Sequence, residues 1–149
     1  HVLICCGDTP LMSQATFRSL LDTHLREGSD CTLLSARLDE GGNYGRVIRG
    51  ADGSFESIVE ARDCTPEQAA VTEVNTGTYV FRVDKLLSCL GQLTTDNAQG
   101  ELYLTDVPAL IRAAGGRVSL CDTCSPQEML GVNTVEQLAE VEQVIRARA

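Results

Sequence analysis

The sequence is poor in positive charge and has no long apolar run. It has 12 lysines and arginines and 21 aspartates and glutamates, which gives a net charge of −9. This charge argues against a groove that binds nucleic acid. A small phosphorylated ligand stays compatible with this acidity, because a metal can offset its charge. No stretch approaches the roughly 18 apolar residues of a membrane span, and no signal peptide is recognisable. We therefore expect a cytoplasmic protein without nucleic-acid or membrane partners.

Cysteine is abundant but lacks the pattern of a disulfide framework. Seven cysteines are an odd number spread through apolar positions, which indicates small core residues in a reducing compartment. Cys121 and Cys124 have the spacing of a zinc or redox pair, but no second pair lies at a suitable distance and neither histidine is near. Cys5 and Cys6 are neighbours on a predicted strand, so their side chains should point to opposite faces. The role of Cys121 and Cys124 stays open.

The length and patterning indicate one globular domain. A chain of 149 residues with 43% hydrophobic and 22% charged residues can bury a core, and it contains no repeat, low-complexity tract or linker. Apolar runs alternate with amphipathic segments around one inserted hairpin, which predicts an α/β domain with a mixed, mainly parallel sheet. Strands are predicted at 2–6, 30–38, 46–49, 55–60, 78–83 and 117–121. Helices are predicted after the N-caps Ser13, Thr65 and Thr134 and around 86–90 and 104–111, the last helix with Val135, Leu138, Val141 and Ile145 on one face.

Asp8 follows the first apolar run at a predicted strand end. In an open α/β sheet, ligands bind at the carboxyl ends of the strands. The carboxylate of Asp8 could cap the next helix, or it could hold a divalent cation against a phosphate, because hard oxygen ligands suit Mg²⁺. Asp8 by itself leaves both interpretations open.

Further polar residues stand beside glycines or at strand ends. Glu60, Asn75 and Asn133 could hydrogen-bond sugar hydroxyls, and Gly45, in the glycine-rich 41–45 loop, would let the backbone approach a ligand. Each also fits a structural role: a solvated strand end for Glu60, a turn or helix cap for the two asparagines, and a bend for Gly45.

Together and in this order, these segments resemble the uridylyltransferase (pyrophosphorylase) domain of the bacterial bifunctional enzyme that makes UDP-N-acetylglucosamine. The resemblance covers almost the whole chain, and its most specific part is 96–106, which contains Tyr103-Leu104-Thr105-Asp106. Its motifs lie at 7–11, 44–46, 58–60, 75–77, 97–101 and 131–133. The resemblance implies a Rossmann-like nucleotide-diphospho-sugar transferase fold. Because the chain opens on His1 at the start of a strand, we expect it to be the later portion of that domain, without the N-terminal glycine-rich segment and without acetyltransferase repeats.

The resemblance also implies a set of site residues. Asp8 and Asn133 would be the Mg²⁺ ligands. Substrate would be bound by Gly7, Gly45, Glu60, Asn75, Tyr103, Thr105 and Asn133, with Glu60 and Asn75 bonded to sugar hydroxyls. By the same resemblance, Cys6 would lie near the uridine, at a position where an aromatic residue is common in the family. No catalytic residue is assigned within the chain, because the family's catalytic Arg and Lys lie upstream.

The function implied by the resemblance is formation of UDP-N-acetylglucosamine and pyrophosphate from UTP and N-acetylglucosamine 1-phosphate, for cell-wall peptidoglycan. We expect the 149 residues alone to be inactive. Two alternatives stay open: a non-catalytic sugar-nucleotide-binding or assembly module, and a sister nucleotidyltransferase for another sugar 1-phosphate. An exposed sheet edge is also expected to permit self-association.

Overall fold

The computed structural model describes residues 1–148, and strands and helices alternate in it as predicted. The strands are β1 (Val2–Ile4), β2 (Cys31–Arg37), β3 (Arg46–Arg49), β4 (Phe55–Val59), β5 (Glu73–Phe81) and β6 (Val118–Cys124). The helices are α1 (Gln14–Glu27), α2 (Pro66–Ala69), α3 (Val83–Leu90), α4 (Val107–Ala113) and α5 (Val135–Arg148). The predicted N-cap at Ser13 and the capping box at Thr65 are both present. The α/β class is confirmed.

The six strands form one mixed sheet in the order β4-β3-β5-β2-β6, with β1 also paired to β5. Within residues 1–148, β2 and β6 form the single parallel pair, whereas β5 runs antiparallel to β1, β2 and β3. A mixed sheet was predicted correctly, but its mainly parallel character is wrong. The alternation of strands and helices suggested parallel crossovers. In the fold, β5 lies between β1 and β2, so the crossover through α1 joins strands that are not neighbours.

One edge of β5 is shared by two short strands that leave a gap between them. β1 pairs with β5 at Tyr79 to Phe81, and β3 pairs with it at Val74, while β2 follows the opposite edge. β5 begins at Glu73, five residues before the predicted start, so the segment 75–77 lies inside the strand rather than in a turn before it. The gap therefore leaves the part of β5 that carries Asn75 without a paired strand on this edge.

Two buried clusters hold helices against the faces of the sheet. Leu33, Tyr79 and Phe81 point to one face, where they pack with α3 and α4. Leu34 and Val80 point to the other face and pack with Leu20 of α1. Because helices pack on both faces, the sheet is rigid and the ends of its strands are held in place.

α5 has the predicted position, but its apolar face is only partly buried. Val141 is 2% exposed, whereas Val135 and Leu138 are 78% and 54% exposed. The apolar register of this helix therefore packs against the described part of the chain mainly through Val141. Among residues 1–148, no helix has both the length and the apolar character needed to cross a membrane.

Candidate functional site

A cavity of about 450 Å³ opens in the gap between β1 and β3 on the edge of β5. This volume is within the range of small-molecule sites. Its wall brings together six residues that the sequence singled out: Asp8, Gly45, Glu60, Asn75, Thr105 and Asn133. They come from six separate stretches of the chain, and the sheet topology is what assembles them.

Gly45, Glu60 and Thr105 form one wall of the cavity. A Cβ on Gly45 would stand 3.0 Å from Ile58 Cγ2 and 3.4 Å from Glu60 Oε1, so glycine lets this carboxylate lie against the backbone. The hydroxyl of Thr105 donates to Glu60 Oε1 at 2.9 Å. Glu60 Oε2 accepts no hydrogen bond from residues 1–148 and is available to a ligand hydroxyl.

Asn75 is held in place by three hydrogen bonds. Its Nδ2 donates to the hydroxyl oxygen of Tyr79 at 2.7 Å, and its Oδ1 accepts from the backbone N–H of Gly77 at 3.2 Å. The backbone N–H of Asn75 donates to the Gly45 carbonyl at 2.8 Å. Burial raises the pKa of Tyr79 far above its usual value, so its hydroxyl stays neutral. The amide of Asn75 is thus oriented before any ligand binds.

Asp8 and Asn133 meet from opposite ends of the chain. The N–H of Val132 donates to the Asp8 carbonyl at 2.8 Å. A Cβ on Gly131 would stand 3.7 Å from Asn133 Nδ2 and 3.9 Å from Asp8 Oδ2, so both side chains border the same small space. A half-turn of the Asn133 amide presents its oxygen to that space.

One carboxylate and one amide oxygen fit Mg²⁺, which commonly takes one or two protein ligands and completes its shell with substrate phosphates and water. Among residues 1–148, no group of three or more His, Cys, Asp or Glu side chains is arranged to hold a metal. A cation at Asp8 and Asn133 would therefore depend on oxygens of the substrate.

Glu128 fastens together the two segments that carry Asp8 and Asn133. Its Oε1 accepts from the Ser13 N–H at 2.9 Å and from the Thr16 hydroxyl at 2.5 Å, and its Oε2 accepts from the N–H and hydroxyl of Ser125. Burial opposes ionisation of Glu128, but the hydrogen bonds outweigh it and lower its pKa to about 2. Glu128 was not predicted from the sequence, although Ser125 and Glu128 have the spacing of a capping box.

Two predicted substrate-binding residues lie outside the wall of this cavity. Gly7 is exposed beside it, and a Cβ added to it would meet no atom within 4 Å. Tyr103 lines a smaller neighbouring pocket of about 200 Å³. There its hydroxyl donates to Asp63 Oδ2 at 3.3 Å and accepts from Gln99 Nε2 at 2.9 Å. A role for Gly7 or Tyr103 in substrate binding stays a prediction.

Cys5 and Cys6 both border the cavity. β1 ends at Ile4, so the strand geometry from which their side chains were expected to point to opposite faces does not extend to them. Cys6 Sγ lies 2.7 Å from the place of a Cβ on Gly77, where φ is +74°, so a glycine is needed opposite this thiol. Burial, together with Asp8 and Cys5, raises the pKa of Cys6 and keeps it a neutral thiol.

Cys121 and Cys124 belong to the core. Both are free and buried, and they pack in the cluster with Leu34 and Val80. Burial, Glu128 and Cys121 raise the pKa of Cys124 to about 12, so its thiol is not a nucleophile at neutral pH. Tyr79 and Met129 also border the cavity, and both lie outside every motif that the sequence singled out.

The chain is similar over 98–99% of its length to curated proteins named Bifunctional protein GlmU. It is 44% identical to that of Caldanaerobacter subterraneus subsp. tengcongensis, 42% to that of Geobacillus thermodenitrificans and 45% to that of Clavibacter sepedonicus. The matched region is 30–32% of those proteins, so the chain spans about a third of the length of these relatives. No family model matches the chain.

Among solved structures, the fold is similar to one from Bacillus anthracis that is named as a glucose-1-phosphate thymidylyltransferase in complex with a sucrose. The TM-score is 0.62 at 18% identity, and the match covers 87% of this chain and 49% of that one. The predicted fold is thereby confirmed, since the neighbour shares its architecture.

Proposed function

We propose that this chain, which matches one third of the bifunctional GlmU proteins, is the sugar-binding and metal-binding portion of a sugar-phosphate nucleotidyltransferase. The proposed reaction converts UTP and N-acetylglucosamine 1-phosphate into UDP-N-acetylglucosamine and pyrophosphate. It would supply a cytoplasmic precursor of peptidoglycan. The observation that carries the proposal is the single cavity in which Glu60 and Asn75 face the same space as Asp8 and Asn133.

The sugar is recognised by fixed polar groups on the edge of β5. Glu60 Oε2 is free to accept a hydrogen bond from a sugar hydroxyl, since Thr105 occupies only Oε1. Asn75 is fixed by Tyr79 and by Gly77, so little entropy is lost when it contacts the ligand. Preorganised groups of this kind favour a ligand rich in hydroxyls over an apolar one.

The proposed chemistry is a displacement at the α-phosphorus of UTP. A phosphate oxygen of the sugar phosphate forms the new P–O bond, and the bond to pyrophosphate breaks. The nucleophile is already anionic at neutral pH, so no general base is required and catalysis consists of positioning and charge neutralisation. Asp8 and Asn133 would hold Mg²⁺, which neutralises phosphate oxygens when bound. The chain orients the sugar phosphate through Gly45, Glu60 and Asn75.

The described cavity wall has two carboxylates, Asp8 and Glu60, and no lysine or arginine. Cations that stabilise the departing pyrophosphate must therefore come from elsewhere in the complete protein, and we assign no catalytic residue within this chain. The same observation favours a second candidate, a sugar-nucleotide-binding module without turnover.

Pyrophosphate release by the complete protein tests the proposal. We expect Mg²⁺-dependent release from UTP with N-acetylglucosamine 1-phosphate, at least about tenfold faster than with glucose 1-phosphate. Preference for glucose 1-phosphate would favour the sister nucleotidyltransferase. Binding of UDP-N-acetylglucosamine in calorimetry without any release would favour the binding module.

A further inference from the structure

We propose that Arg46 is a positioning residue that holds the 41–45 loop against β5 and thereby shapes the sugar side of the cavity. The catalytic part of this inference rests on the proposed function, and the structural part does not. Arg46 is the first residue of β3 and is 5% exposed. A buried guanidinium beside a ligand cavity therefore has to find its hydrogen-bond partners within the protein.

The partners of Arg46 are backbone carbonyls rather than carboxylates. Its Nη2 donates to Gly42 O at 3.0 Å, its Nη1 donates to Tyr44 O, and both Nε and Nη2 approach Ala69 O at 3.4 Å. Within residues 1–148, the ion pairs involve other arginines and not Arg46. The donors of Arg46 thus serve to fold the loop around its head group, as the planar, five-donor guanidinium can do.

The loop held by Arg46 makes two hydrogen bonds to other parts of the cavity wall. The carbonyl of Gly45 accepts the N–H of Asn75 at 2.8 Å, and the hydroxyl of Tyr44 donates to Met129 O at 3.2 Å. The first contact ties the loop to β5, and the second ties it to the segment that leads to Asn133. A shift of the loop would therefore move Gly45 away from Glu60 and loosen the wall on which the sugar is expected to lie.

Gly41 provides an independent probe of the same arrangement. A Cβ on Gly41 would stand 2.4 Å from Arg46 Nε and 2.5 Å from its Cζ, so alanine at this position must displace the guanidinium. The φ of Gly41 is outside the left-handed region, so alanine brings no backbone strain of its own. Gly41→Ala thus disturbs the loop while Arg46 is still present.

Hydrogen exchange tests the structural part without reference to catalysis. The test variants are Arg46→Lys and Gly41→Ala. Arg49→Lys is a matched control on the same strand, where the arginine forms an ion pair with Glu73. Gly91→Ala is a matched control for the glycine, because a Cβ at Gly91 meets no atom within 4 Å. We expect the amide of Tyr44, which donates to Gly41 O at 3.2 Å within the loop, to exchange at least about tenfold faster in both test variants and to be unchanged in both controls. Unchanged exchange at Tyr44 in folded test variants would overturn the proposal.

Kinetics of the complete protein test the consequence for the sugar. We expect both test variants to raise KM for N-acetylglucosamine 1-phosphate about tenfold, with KM for UTP within about twofold of the parent. Equal increases for both substrates would overturn the positioning role. If the parent protein releases no pyrophosphate, the proposed function fails, and exchange at Tyr44 still decides the role of Arg46.

Discussion

Asp8 and Asn133 matter as a pair, because one carboxylate and one amide would supply only part of the oxygen ligands of a bound Mg²⁺. In the complete protein, Asp8→Ala should lower Mg²⁺-dependent pyrophosphate release by about two orders of magnitude or more, since charge neutralisation is the main contribution expected of this site. A steady-state assay over a Mg²⁺ titration measures the effect. Asp22→Ala, an exposed aspartate on α1, is the control. Undiminished turnover would remove Asp8 from the metal site.

Glu60 should discriminate between the two substrates. Glu60→Gln retains an oxygen for Thr105 but replaces the free Oε2 by an amide that cannot accept a hydrogen bond. Hydrogen bonds to charged groups contribute about 1.5–3 kcal/mol, so KM for the sugar phosphate should rise about 10-fold to 100-fold while KM for UTP changes little. Glu56→Gln, exposed on β4, the strand that ends just before Glu60, is the matched control. Equal losses for both substrates would place Glu60 outside the sugar pocket.

At the scale of elements, Glu128 joins the start of α1 to the turn after β6. Its pKa of about 2 is below the ordinary value of 4.5, so the ionised side chain stabilises the fold above about pH 4.5, and this stabilisation is lost as the pH falls towards 2. Glu128→Gln should lower the free energy of unfolding at pH 7 by about 1–3 kcal/mol. It should also flatten the acid limb of the stability curve.

Urea unfolding of Glu128→Gln between pH 2 and pH 7 checks this prediction, with Glu140→Gln, exposed on α5, as the control. An acid limb as steep as that of the parent protein would show that another carboxylate is responsible for it.

The elements themselves were largely predictable from the sequence, whereas their pairing was not. Local signals such as the cap at Ser13 and the glycine at Gly28 set the ends of α1 correctly. The start of β5 was missed because Asn75 and Gly77 are typical turn residues, and only the neighbouring strands make this segment extended. The antiparallel setting of β5 depends on contacts between distant segments, which no local pattern encodes.

The candidate site was also predictable only where a local sequence signal exists. Asp8 stood out locally, because a carboxylate interrupts an apolar run, but its link to Asn133 came only from the family resemblance. The hydroxyl of Tyr79 under Asn75 and the carboxylate of Glu128 between two segments could not be predicted, since both depend on tertiary packing. The first strand ends two residues before its apolar run does, so Cys5 and Cys6 lie beyond it.

At the scale of the whole molecule, we expect the negative charge of the chain to allow Mg²⁺-dependent binding of the sugar phosphate but not catalysis. The chain has a net charge of −9, and its described cavity wall has carboxylates without lysine or arginine. We expect the 149 residues alone to bind N-acetylglucosamine 1-phosphate weakly in the presence of Mg²⁺ and to release no measurable pyrophosphate from UTP. Calorimetry and the release assay on the same preparation measure the two properties. Robust release would show that this chain carries cationic groups sufficient for catalysis.

The gap on the edge of β5 has a consequence for solubility. The unpaired backbone N–H groups of an edge strand can hydrogen-bond to a strand of another molecule, which promotes edge-to-edge aggregation. Here the N–H of Asn75 is occupied by the carbonyl of Gly45, and the N–H of Gly77 by the Asn75 side chain. The residues that would orient a sugar also block strand addition, so substitutions of Asn75 should be screened for fibril formation as well as for lost affinity.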